Sequence, residues 1–399
     1  MAQDLTGPPP VAHSVPEIEG QLGRLWARAA QARAEAARAE TAPIADGERG
    51  EGGGHHVAAR TSVLNLVVVA SDERAARQCA STIASTAGRH ASRSLILSAV
   101  DPDGPAGLVA HIEALALPVA GGRTETGAET IHVIAHGETG RHLASIIVPL
   151  LVHDLPVALW WPSDPPFGSH RAERLLPIAD RLIVDGSSWS GSGLDLLAQM
   201  AVLAGDRRAV IADWALMRQT RWREALASVY DLPDLRPHLG AVRRIEVEYA
   251  ATESGDPAGQ TNVVRPLYHV AWLASRLDMT AVAPLRREDD GRRVATLRQQ
   301  NHAVEVVLRP GISDLGAGST VRVEITSRLR GDELVGSVTA GDHAVEVSIR
   351  DNGRERVRRS YVAPRLTDVD LLGRAVEAGS AEPVAMHALA MAGRLLSGS

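Results

Sequence analysis

The sequence predicts an α/β chain: a Rossmann-like, doubly wound, mostly parallel sheet, followed by a smaller α+β domain with an antiparallel sheet. Three observations predict it. Continuous apolar segments such as SVLNLVVVA (62–70) suit strands buried on both faces, as in parallel sheets. Up to about residue 235 such segments alternate with helical patterns, which implies right-handed crossovers. From residue 236 the pattern becomes short strands of alternating polarity separated by Gly, Asn or Asp turns. With 399 residues the chain is too long for one core, since single cores stop growing at about 250–300 residues. The expected division is an N-terminal helix and flexible linker over 1–59, the Rossmann-like domain over 60–235 and the α+β domain over 236–399.

Each element has its own warrant. Residues 1–15 carry Pro8, Pro9 and Pro10 and are expected to be loose. Over 17–40, Ile18, Leu22, Leu25 and Trp26 recur on one face of a helix whose second half is alanine with Arg and Glu. The Gly-rich 41–59 reads as a linker. After the strand at 62–70, Ser71 is the expected N-cap of a helix over 71–89. Strands follow at 93–99, 130–136, 155–161, 181–187 and 207–214, with helices near 140–152, 193–205 and 220–229. Then come a strand at 243–250, a helix at 262–277, and strands at 293–299, 302–309, 320–329, 333–340, 343–350 and 354–362. Asn352-Gly353 marks a tight hairpin. Two helices, near 367–378 and 382–396, are expected to close the chain against the antiparallel sheet.

Composition removes several function classes. All 42 basic residues are arginine, so there is no Schiff-base lysine and no phosphate-loop lysine. Cys79 is the single thiol, which excludes intramolecular disulfides and CxxC motifs. A net charge of -6 argues against a nucleic-acid partner. No apolar run reaches membrane-spanning length and no secretory signal opens the chain, so a cytoplasmic protein without membrane contact is expected.

Candidate sites centre on LPVALWWPSDPPF (155–167), where a strand ends in two tryptophans and a proline-stiffened loop. Ligands and partners of parallel sheets approach the carboxyl ends of strands. Trp160 and Trp161 point to opposite sides of the strand. Either both are core, or one packs under a helix and the other is left available to a partner. GSSWSGSG (186–193) offers free amides to a phosphate or carboxylate, yet lacks the third glycine of GxGxxG and equally suits an N-cap and tight turn. Asp154, Asp164 and Asp185 stand at strand ends, where acids serve as catalysts or as caps. His132 and His136 share a strand face but stand about 13 Å apart, too far for one metal. His55-His56 has no partner, and no G-x-S-x-G elbow marks a nucleophile. No cofactor is called for.

In order along the chain, VPEIEGQLGRLW (15–26), RTSVLNLVVVA (60–70), VPLLVHDLPVALWWPSDPPF (148–167) and IADWALMRQTRWREAL (211–226) resemble the OpcA family. The resemblance covers most of 15–275 and is strongest at 60–69 and 150–162. It implies a non-catalytic protein that binds glucose-6-phosphate dehydrogenase, promotes its active oligomer and so feeds NADPH supply through the oxidative pentose phosphate route. With Cys79 alone, the dithiol control associated with some members is impossible here. The partner surface expected under this resemblance is Trp160, Trp161, Pro162, Asp164 and Phe167, with Trp161 as anchor. Leu22, Leu25 and Trp26 form a second candidate, on a helix that either docks on its own sheet or inserts into the partner. The rival reading is a sugar-phosphate- or nucleotide-binding enzyme using the strand carboxyl ends and the 186–193 loop.

Overall fold

The computed structural model of the chain describes residues 3–4, 9–40, 62–118, 125–206, 210–251, 256, 259–377 and 383–397. The expected linker at 41–59, with His55-His56, lies outside them. In chain order the first elements are β1 (Gln3–Asp4), β2 (Val11–Ala12), α1 (Val15–Glu40), β3 (Leu64–Ala70), α2 (Glu73–Thr86), β4 (Ser92–Val100), β5 (Gly107–Pro118) and β6 (Glu125–His136). Then come α3 (Leu143–Leu150), β7 (Val157–Trp161), α4 (His170–Leu175), β8 (Arg181–Val184), α5 (Leu194–Asp206), β9 (Val210–Asp213), α6 (Trp214–Met217) and α7 (Thr220–Ser228). Their strands form one sheet in the order β1-β5-β6-β4-β3-β7-β8-β9, with β2 also on β5.

The pairs β6–β4, β4–β3 and β3–β7 are parallel, as the buried apolar runs require. β5 is antiparallel to β6 and was not anticipated as a strand. β1 and β2 pair antiparallel with β5, so the N-terminal residues expected to be loose are partly tied to the sheet. The N-cap of α2 is Asp72 rather than Ser71. Its carboxylate accepts from the Ala75 amide at 2.9 Å, and the Ser71 hydroxyl supports that carboxylate at 3.0 Å.

The remaining elements are β10 (Val242–Ala251), α8 (Val264–Arg276), β11 (Thr280–Arg287), β12 (Arg293–Gln299), β13 (His302–Ile312), β14 (Thr320–Leu329), β15 (Asp332–Gly341), β16 (Ala344–Asp351), β17 (Arg354–Val362), α9 (Asp368–Glu377) and α10 (Pro383–Ser397). They build an eight-stranded sheet in the order β11-β12-β13-β10-β14-β15-β16-β17. It is antiparallel except for β10–β13, which run parallel from Arg244↔Glu305 to Ala251↔Ile312. The β16–β17 turn holds Asn352 and Gly353 at φ 49° and 80°, the left-handed pair that a tight hairpin needs. α8 buries Leu267, Tyr268, Val270 and Ala271 completely or nearly so. α10 packs on α8, α5 and β11, so it rests mainly on helices rather than on the sheet as expected.

The chain divides into two compact units. One comprises Met1–Pro162, Gly168–Leu182 and Leu372–Val376; the other comprises Ser163–Phe167, Ile183–Leu371 and Glu377–Ser399. Among the described residues no helix is long and apolar enough to cross a membrane.

Candidate functional site

Residues 163–167 of the proline-rich loop after β7 belong to the second unit, and a side chain fastens them there. Asp164 Oδ1 accepts the Ser190 amide at 3.0 Å and Oδ2 accepts the Ser190 hydroxyl. Phe167 N donates to Pro165 O at 2.8 Å, which closes a turn between the prolines and Gly168. The 163–167 loop is thereby fastened to the Gly/Ser loop after β8, and the two form one platform.

The first half of the Gly/Ser loop has its amides committed. Gly186 N donates to Asp213 at 2.9 Å, and Ser187 N and Oγ both donate to Asp185, at 3.1 and 2.5 Å. Asn262 Nδ2 holds the carbonyls of Gly186 and Trp189 at 2.9 and 3.0 Å. A side chain at 186 would meet Asp213 and Val264 at 2.8 Å, which is why glycine stands there. The chain's own carboxylates therefore occupy the places a phosphate would take on these amides.

Behind the loop lies a buried polar cluster built from the ends of β8 and β9 and the start of α8. Asp213 accepts from Gly186 N, from Ala215 N at 2.8 Å and from the Tyr268 hydroxyl at 2.8 Å. Burial pushes its carboxyl up to about 6, against the opposing pull of the Gly186 amide. Arg218 bonds Asp185 at 2.7 Å and Asp368 at 3.5 Å, and its guanidinium stands 5.8 Å over the Trp214 ring. Arg265 reaches Ser187 Oγ at 3.1 Å, and burial depresses its pKa. His269 is fully buried beside Trp222, 5.3 Å between ring centroids. Burial, with Arg223 and Arg265 nearby, pushes its ring down to about 3, so it is neutral. Among the described residues no three His, Cys, Asp or Glu side chains gather as metal ligands.

Two family models match the chain in succession. One, described as the glucose-6-phosphate dehydrogenase subunit N-terminal domain, matches residues 83–201; the other, the C-terminal domain of the same subunit, matches 209–383. The chain belongs to the OpcA family. A relative from Synechocystis sp. (strain ATCC 27184 / PCC 6803 / Kazusa), named "Putative OxPP cycle protein OpcA", is 33% identical over 141 residues, 35% of this chain. That match spans 27% of the relative's own length. A solved structure described as a "putative oxidoreductase" from Magnetospirillum magnetotacticum MS-1 aligns over 84% of this chain and 100% of its own, at TM-score 0.42 and 15% identity. The transcriptional regulator Gal80p of Kluyveromyces lactis aligns over 84% of this chain and 88% of its own, at TM-score 0.40 and 10% identity.

In this OpcA-family chain the expected partner residues fall into two groups. Trp160 and Trp161 are 3% and 1% exposed. They occupy opposite sides of β7 as strand geometry demands and both sides are covered, which is the first of the two alternatives: both rings are core. Pro162, Asp164 and Phe167 lie at or near the surface of the loop that follows. Leu22 and Leu25 are buried, and α1 packs on β2, β5 and α3: the helix docks on its own sheet. Trp26 Nε1 donates to Glu129 at 2.5 Å, and Glu129 also takes Arg93 Nε at 2.7 Å.

Sequence reading did not find Arg93, Glu129, Asp213 or Arg265. The signal available was charge inside apolar strands: Arg93 and Glu129 flank β4 and β6 positions that are otherwise buried. A cavity of about 490 Å³ opens beside Arg93, Glu19, Ser62 and His153, at the amino ends of the parallel strands. His132 pairs across the β5–β6 ladder with His111, not with His136, and burial lowers its pKa. Cys79 is buried in α2.

Proposed function

We propose that this chain is a non-catalytic activator of glucose-6-phosphate dehydrogenase in the cytoplasm, binding the enzyme and favouring its active oligomer. The observation that carries the reading is the succession of two family models, both described as glucose-6-phosphate dehydrogenase subunit domains, over 83–201 and 209–383. The chemistry of the chain supports it. There is no lysine for covalent catalysis, and the chain's own carboxylates take the amides of Gly186, Ser187 and Ser190 in the glycine-rich turn. The contact surface in this reading is the platform of 163–167 and the Gly/Ser loop, with Asp164 and Phe167 presented to the partner. A preformed, proline-stiffened surface loses little entropy when it binds. Activation is then linkage: a protein that prefers the enzyme's active state shifts the population toward it by its differential affinity.

The rival reading, a sugar-phosphate- or nucleotide-binding enzyme, draws on Arg218 and Arg265, whose guanidiniums meet at Ser187. Both readings are separated by one experiment. The dehydrogenase's substrate saturation curve is measured with and without the purified chain. The activator reading expects the curve to move to lower substrate. An unmoved curve at saturating chain, together with binding of glucose 6-phosphate to the chain alone, sinks it.

A further inference from the structure

One face of the eight-stranded sheet is covered and the other is open. α7, α8 and α10 contact its strands. The covered face carries Ile245, Val247, Val306, Ile325 and Val338, each 1% exposed or less. Val229, just after α7, lies so close to Gly336 that a Cβ there would sit 2.7 Å from its Cγ1.

The opposite face carries a chain of ion pairs across β13, β10, β14 and β16. Glu305 pairs with Arg244 at 2.5 Å, Arg244 with Glu246 at 2.7 Å, and Glu246 with Arg309 at 3.0 Å. Arg309 pairs with Glu248 at 2.8 Å, Glu248 with Arg322 at 3.4 Å, Arg322 with Glu324 at 3.7 Å, and Glu324 with Arg350 at 3.6 Å. Signs alternate along the series, and arginines and glutamates balance.

We propose that a second copy of the chain docks on this face. An antiparallel sheet with one solvated face is ordinary; charge and area set this face apart. The chain as a whole carries -6, so two copies repel over most of their surface. The eight charges of this series sum to zero, so repulsion over them is least. Its alternating signs let a copy turned about a two-fold axis meet opposite charges, which an isologous contact requires. Glu246, Glu248 and Glu324 are only 15%, 17% and 21% exposed and paired with arginine, so the desolvation that covering adds falls on Glu305, Arg350 and the other arginines of the series. Eight strands about 4.8 Å apart, each of about ten residues rising about 3.3 Å, give a face of about 1,200 Å². A stable contact needs about 800 Å² per partner.

The test is sedimentation velocity on the full chain across the micromolar range. The expected species has twice the 42.3 kDa mass of one chain. Thr326→Arg and Thr339→Arg each add a cation and its bulk to this face of both copies, and are expected to yield monomers with unchanged circular dichroism. A wild-type chain that stays monomeric overturns the proposal, as does a dimer that both variants leave intact. Should both variants fail to fold, Ser348→Arg, on β16 of the same face, takes their place with the same two outcomes. If the chain is monomeric alone while Thr339→Arg abolishes activation of the dehydrogenase, the face belongs to that enzyme instead.

Discussion

Asp164 takes both the backbone amide and the hydroxyl of Ser190, joining two loops that stand 26 residues apart in sequence. The proline-rich loop after β7 is thus not a free strand terminus. Its position is set by a carboxylate that also satisfies the Gly/Ser loop after β8.

Asp164→Ala is expected to release that tie. The group is exposed, so the stability lost is modest, about 1 kcal/mol. Amide hydrogen exchange at Ser190 and Phe167 should rise well above that of the β3 amides. Asp164→Asn keeps one acceptor and should retain most of the protection. Unchanged exchange in the alanine variant means that the prolines alone hold the loop. If the platform is the dehydrogenase contact, the alanine variant also activates the enzyme less at equal concentration.

Trp161 separates support from contact. It is 1% exposed, so Trp161→Ala leaves a cavity and should cost about 3–5 kcal/mol in urea unfolding. Where the variant is still folded, activation of the dehydrogenase should be close to normal, because the ring is not presented to the partner. Near-normal stability with lost activation would instead make the ring part of the contact, reached through a rearrangement of β7.

Arg93 and Glu129 are 5% and 0% exposed at their side chains and lie 2.7 Å apart. Arg93 also donates to Glu19 at 3.0 Å and to Leu150 O at 2.7 Å, so it fastens α1 and the end of α3 to the sheet. Glu129→Ala leaves a buried guanidinium without its nearest charge and should cost about 3–5 kcal/mol. Replacing both, as Arg93→Met with Glu129→Leu, should cost much less. Equal losses in the single and double variants would show that the pair's charge is not what the site depends on. Amide hydrogen exchange along the first turns of α1 reports whether the helix has left the sheet.

The legible parts of this chain were local. Buried apolar runs and an Asn-Gly turn place strands within a few residues, because neighbours in sequence decide them. β5 was missed because its antiparallel pairing inverts the rule that the surrounding β-α alternation suggests. β11 was missed because Pro284 removes a ladder donor and reads as a break, which an edge strand tolerates. The parallel β10–β13 pair joins strands separated by α8 and two other strands, and no local pattern encodes it. The site suffered the same way. Asp164, Asp185 and the 186–193 loop stood out as strand-end features, but the bonds that join them, and Arg265 and Tyr268 from α8, depend on tertiary approach.

The buried cluster gives this chain two opposed responses to acid. The Asp213 carboxyl is pushed up to about 6 from 3.8, chiefly by burial. Between those values the folded chain holds a proton that the unfolded chain releases, so this group's stability contribution falls as pH rises from about 4 to 6. His269 does the reverse. Burial pushes it down to about 3 from 6.5, so the unfolded chain holds the proton and stability falls as pH drops from about 6.5 toward 3. Moving from pH 7 to pH 5, Asp213 should add about 1 kcal/mol and His269 should remove about 2 kcal/mol. Guanidinium unfolding at both values checks this by difference. Relative to Asp213→Asn the wild type should gain stability on acidification, and relative to His269→Phe it should lose it. Wild-type and variant stabilities that run parallel with pH would mean that neither group titrates in this window, and that the Gly186, Ala215 and Tyr268 bonds keep Asp213 ionised throughout.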